Sequence, residues 1–261
     1  MFDDATIAIM AAMVDDAQAN GHTIPKLTDR FPGLTVEDGY AVLDALFCRW
    51  QARGRVLAGY KAGLTSRAKM LQMGVNEPSF GLLMRDTCEP DGGTISTRGL
   101  IHPRVEAEIA YVMKNELSGS SVTVEEVHAA TDFIQPALEI LDSRFEKFSF
   151  DLQSVIADNS SSARFVLGGR PEHPREMDPA AIAIEMAIND ETVASATSAA
   201  VLGHPARAVQ ILVAWLHRRG KILPAGAVVM TGAATEAIAI STGDSVCVRY
   251  QGLGSINVRI D

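Results

Sequence analysis

"HPRVEAEIAYVM", residues 102–113, alternates with the period of a strand, and the rest of the chain is read outward from it. Side chains at i and i+2 of a strand share a face. Val105, Ala107 and Ile109 therefore line one face, while Glu106 and Glu108 stand together on the other. Two ionised carboxylates at that spacing repel. If their face is buried, each also loses hydration worth several kcal/mol. Two readings answer the conflict. The face is wet, as one face of an antiparallel sheet commonly is, or a cation neutralises the pair. A hard divalent ion, Mg²⁺ or Mn²⁺, suits carboxylate oxygens best. Glu139, in "IQPALEILDSRF" (134–145), interrupts another apolar strand and is the candidate third ligand.

Around this stretch the chain has two textures. The first 55 residues read as helix: one segment from Asp4 to Asn20, and a second capped by Thr35 with Glu37 and Asp38 in its first turn. A short apolar strand follows in "RVLAGYKAG", then a short helix in "SRAKMLQMG" closed by Gly74. Beyond Pro78 come short strands near 80–84, 104–113, 134–142, 163–168, 181–188, 192–197, 226–231, 245–250 and 255–260. Asn189-Asp190 marks a hairpin, and "VRYQGLGSINVRI" a strand pair joined through Gly252 and Gly254. Two helices interrupt. One has a capping box at Thr123 and Glu126; the other runs from Pro205 to a stop at Gly220. The expected class is α+β: a mainly helical N-terminal part (1–77) beside a mostly-β, roll- or barrel-like domain (78–261). No GxGxxG opens a helix, which sets aside a dinucleotide fold.

Composition narrows the partners. Of 261 residues, 47% are apolar, enough for a sizeable core. A net charge of −9 argues against nucleic acid or an anionic membrane as partner. The apolar N-terminal residues break at Asp15 and Asp16, too early for a membrane span. Cys48, Cys88 and Cys247 are odd in number and widely spaced, which fits reduced thiols in a cytoplasmic protein.

Other residues able to carry chemistry are fewer. Lys61, between Gly59 and Gly63, either anchors a carboxylate or transfers a proton, or else snorkels at the surface. Ser160, Ser161 and Ser162 offer hydroxyls to an anion or form a solvated turn. His204 stands at a helix start as a packing residue or a pocket donor, and Thr231-Gly232 ends a strand where a loop approaches ligand. No GxSxG or HExxH is present.

Eight stretches, in order and at matching spacing, carry a resemblance: "GYKAGLTSRAKMLQMGV", "PSFGLL", "LIHPRVEAEIAYV", "QPALEILDSRF", "VIADNSSSARFVLGG", "VLGHP", "PAGAVVMTGA" and "YQGLGSINVRI". From about residue 56 onward the chain resembles the 4-oxalocrotonate decarboxylase and 2-hydroxypentadienoate hydratase group of the fumarylacetoacetate hydrolase superfamily. The resemblance implies a β-roll with a smaller N-terminal part and Mg²⁺, or Mn²⁺, on Glu106, Glu108 and Glu139. It implies Lys61 as the essential lysine, and Ser162, Thr231 and Gly232 at the substrate. The implied reaction, in aromatic meta-cleavage catabolism, takes 2-oxohex-3-enedioate to 2-hydroxypenta-2,4-dienoate and CO₂. A homo-oligomer, in complex with the pathway hydratase, is also implied. Hydratases of this group usually carry Asp where "PSFG" has Ser79, so the decarboxylase branch is favoured. A hydratase, or a non-catalytic partner subunit, is the alternative.

Overall fold

The N-terminal helices begin and end where the sequence supplies caps. In the computed structural model, which describes residues 1–66, 70, 71, 74 and 76–261, helix α1 spans Asp4–Asn20. The Asp3 carboxylate accepts the Thr6 N–H at its start, and Gly21 closes it at φ 62°. A single turn, α2 (Leu27–Arg30), leads to α3 (Val36–Ala52). There Thr35 and Asp38 form a reciprocal capping box, with bonds of 3.1 and 3.0 Å. α1 and α3 bury Met10, Val14, Leu43 and Leu46 between them. Asp15 is buried on α1 and is satisfied by Arg53, by Arg49 (2.9 Å) and by Trp50 Nε1 (3.2 Å). The helix expected over "SRAKMLQMG" falls on positions outside the described residues.

Two sheets make up the rest, so the observed class is α+β with a helical N-terminal part. The larger sheet uses β1 (Leu57–Gly63), β2 (Ser79–Met84), β3 (Cys88–Pro90), β5 (Arg104–Met113), β6 (Thr131–Leu141), β7 (Ser162–Leu167) and β10 (Val228–Met230). Its order is β2-β1-β10-β5-β6-β7-β3, with β11 (Ile238–Ala239) also on β5. The smaller sheet runs β4 (Thr94–Ile95), β13 (Gly254–Ile260), β12 (Ser245–Tyr250), β8 (Ala183–Ile188), β9 (Glu191–Thr197). Asn189 and Asp190 both take positive φ in the β8–β9 hairpin, as a two-residue turn requires. Tyr250 ties the sheets together by donating its hydroxyl to the Ala137 carbonyl at 2.7 Å.

Helices α4 (Val124–Ala130), α5 (Leu152–Ala157) and α6 (Ala206–Arg218) complete the fold. Strand β1 lies within residues 1–77 yet is bonded on both sides in the larger sheet, antiparallel to β2 and parallel to β10. Gly59 permits this: a Cβ there would lie 1.8 Å from the Val228 carbonyl oxygen. Among the described residues, no helix is long and apolar enough to cross a membrane.

Candidate active site

The antiparallel register of β5 and β6 places Glu106 directly opposite Glu139, with Glu108 one step along the same face, opposite Ala137. One carboxylate oxygen from each of the three lies within 4.8 Å of the others. All three side chains are buried: Glu106 is 6% exposed, Glu108 and Glu139 0%. The wet-face reading of "VEAEI" is therefore excluded. Both faces of this strand pair are covered, and the acids point inward.

Burial of this kind must show in the acids' proton affinities. Glu108 is held well above the usual carboxylate range, first by burial and then by the Glu139 charge; Lys61 and the Gly232 N–H pull the other way. Glu139 is raised by burial as well, against the opposing pull of Lys61. Lys61 is 3% exposed. Burial alone would lower its pKa, but the charges of Glu139, Glu108 and Glu106 outweigh it, and the net shift is upward. Lys61 is thus an ammonium, with Nζ 2.8 Å from Glu139 Oε2 and donating to the Ser160 carbonyl at 3.1 Å.

The cluster fits a hard divalent cation. Three carboxylates against one ammonium leave two negative charges uncompensated in a buried site, which a divalent ion balances. The donors are all oxygens. Glu108 Oε1 and Glu139 Oε1 are buried and accept no hydrogen bond among the described residues, an expensive state unless they have another partner.

Beside the lysine lies an irregular turn that the polar run "DNSSS" makes after α5. Asn159, Ser160 and Ser161 take φ of 52°, 50° and 57° in succession. Left-handed backbone costs a non-glycine residue roughly 1–2 kcal/mol. Three in a row call for strong anchoring. Asn159 supplies part of it by clamping β2: Oδ1 accepts the Leu82 N–H at 2.6 Å and Nδ2 donates to the Leu82 carbonyl at 2.9 Å. Arg144, 1% exposed, supplies more through its ion pair with fully buried Asp158. Burial raises the Asp158 carboxyl to about 6, while the charge and hydrogen bonds of Arg144 pull it back down. The solvated-turn reading of this run does not hold, because residues 159–162 are all buried.

The remaining candidates divide. Ser162 opens β7 next to the carboxylates, a polar neighbour of Glu139. The Gly232 N–H donates to Glu108 Oε2 at 2.8 Å. Gly232 has φ 103°, and a Cβ there would lie 2.2 Å from Thr65 Oγ1. The Thr231 hydroxyl is turned to its neighbour strand, donating to the Ile109 carbonyl at 2.8 Å, and so fixes the loop that carries Gly232. His204 belongs elsewhere: its Nδ1 accepts the Ala206 N–H at the start of α6, and its ring lies 5.5 Å from that of His128. Asn159, Arg144 and Asp158 were not singled out from sequence, although charged residues inside "EILDSRF" and "VIADNSSS" were a signal for burial in pairs.

The model of the fumarylacetoacetate (FAA) hydrolase C-terminal family matches residues 57–261. The chain belongs to the fumarylacetoacetate hydrolase family. A 4-oxalocrotonate decarboxylase from Pseudomonas sp. (strain CF600) is 44% identical over 253 residues, 97% of this chain and 96% of that protein. A 2-keto-4-pentenoate hydratase from Dechloromonas aromatica (strain RCB) is 38% identical over 247 residues, 95% of this chain and 94% of that one. Among solved structures, the 4-oxalocrotonate decarboxylase from Pseudomonas putida G7, complexed with magnesium and adipate, superposes with a TM-score of 0.98. It is 42% identical, over 100% of this chain and 99% of that one.

Proposed function

We propose that this chain is a metal-dependent decarboxylase of 4-oxalocrotonate, 2-oxohex-3-enedioate, yielding 2-hydroxypenta-2,4-dienoate and CO₂. The observation that carries the reading is the buried Glu106–Glu108–Glu139 cluster with Lys61 against it. Similarity to 4-oxalocrotonate decarboxylases along nearly the whole chain supports it, as does the magnesium in the Pseudomonas putida G7 structure.

The three glutamates would hold Mg²⁺, or Mn²⁺, which supplies a Lewis acid toward the C2 oxygen of a 2-oxo acid. Breaking the C5–C6 bond releases CO₂ and leaves an electron pair at C5. That pair delocalises through C4 and C3 to the C2 oxygen, and a proton there completes the dienol. Lys61 provides a buried ammonium for an anionic substrate, to anchor a carboxylate or to supply that proton. The Gly232 N–H orients Glu108 and favours its carboxylate form against the burial that raises its proton affinity. Ser162 borders the same face.

The hydratase reading draws on the 38% identical relative. Against it, Ser79 offers only a hydroxyl, 3.4 Å from Ser160 Oγ, at the position where hydratases of this group were expected to carry a carboxylate. Ultraviolet absorbance separates the two: dienol appearing from oxalocrotonate supports decarboxylation, and dienol lost on adding the chain alone supports hydration. The reading also entails a cytoplasmic homo-oligomer that contacts the pathway hydratase. Light scattering and co-elution with that hydratase test this part.

A further inference from the structure

We infer that the buried Arg144–Asp158 pair is the positioning device that holds residues 159–161 left-handed, so that the Ser160 carbonyl and the Asn159 amide keep Lys61 and β2 in register at the carboxylates. The inference rests on the proposed function only for its kinetic consequence; the geometry stands apart from it.

The guanidinium of Arg144 meets both ends of the turn. Nε pairs with the Asp158 carboxylate and Nη2 donates to the Asp158 carbonyl, immediately before the turn. Nη1 donates to the Ser162 carbonyl at 3.4 Å, immediately after it, and to the Asp142 carbonyl beyond the end of β6. The Arg144 backbone N–H adds a bond to Asp158 Oδ2 at 3.2 Å, and the Asp142 N–H reaches the Ser161 carbonyl at 2.8 Å. One planar, five-donor group therefore staples three backbone carbonyls and a carboxylate. What the stapled turn presents is specific: the Ser160 carbonyl to Lys61 Nζ at 3.1 Å, and both Asn159 amide bonds to Leu82, on the strand beside β1. The position of the lysine in the site is thus set by a residue that does not touch it.

Lysine is a point donor and cannot make that fan of bonds. Arg144→Lys is therefore expected to lower kcat on oxalocrotonate about 10²-fold, with KM and Mn²⁺ binding by calorimetry near wild type. Adding Ser161→Gly, which frees a left-handed position, should recover most of that loss. A crystal structure of Arg144→Lys should show residues 159–161 leaving positive φ and the Lys61–Ser160 contact broken. Asp158→Asn repeats the series if Arg144→Lys does not fold. An unmoved turn overturns the inference, as does wild-type kcat in both variants, or a loss that glycine does not relieve. An inactive wild type would sink the functional reading instead, and the crystallographic arm would still decide this one.

Discussion

Glu106 and Glu139 face each other across one rung of the β5–β6 ladder, both buried, in a register where like charges are ordinarily selected against. Their pairing defines the charge that the site must neutralise. Glu106→Gln removes one of the three carboxylates while keeping its shape. Metal-dependent turnover should be abolished, Mn²⁺ affinity should fall at least about 10-fold, and the circular dichroism spectrum should not change. Wild-type activity in that variant with metal present would count decisively against the site.

The proton affinities give a second expectation, with a definite sign. Glu108 and Glu139 have raised pKa values in the folded protein, relative to an ordinary 4.5. The folded state therefore binds more protons than the unfolded state above pH 4.5, and without divalent cation its stability falls as pH rises through that window. A cation must displace those protons. The melting-temperature difference between Mg²⁺ and chelator should widen from about pH 5 to about pH 8. A difference independent of pH would contradict the assigned cluster.

Lys61 competes with a cation for Glu139 Oε2, since its ammonium lies 2.8 Å from that oxygen. Lys61→Met should reduce kcat at least about 10²-fold without weakening Mn²⁺ binding. A parallel loss of metal affinity would make the lysine a structural prop of the site and not part of its chemistry.

Gly81 is packed under the same assembly. A Cβ there would lie 2.9 Å from the Asn159 carbonyl oxygen and 3.2 Å from Lys61 Cγ. Gly81→Ala should cost about 1–3 kcal/mol in chemical denaturation and lower kcat more than it raises KM.

Much of this was legible before any coordinates. The strand 104–113 and both capped helix starts declare themselves through period and end residues. Glu139 was legible because nothing else in "ALEIL" is polar. The short strands β3, β4 and β11 span only two or three residues, too few to show any period. The burial of the turn at 159–161 was not legible, because Asn and Ser are ordinary turn formers at a surface, and that burial depends on Arg144 and Asp158, whose pairing no local pattern encodes. The place of β1 between β2 and β10 is equally non-local, marked in the sequence only by Gly59.

That parallel pairing of β1 with β10 bears on synthesis. The two strands bearing the acids, β5 and β6, follow one another in the chain with only α4 between them, and are free to pair once they emerge from the ribosome. The strand carrying Lys61 emerges earlier, but one of its two neighbours, Val228–Met230, is translated near the end. Between the synthesis of Leu141 and that of Val228, a nascent chain therefore holds its acid-bearing strand pair without β10 to lock the ammonium against it. Cellular Mg²⁺, or protons, must quiet those charges in the meantime, and metal supply during growth should govern the yield of folded enzyme.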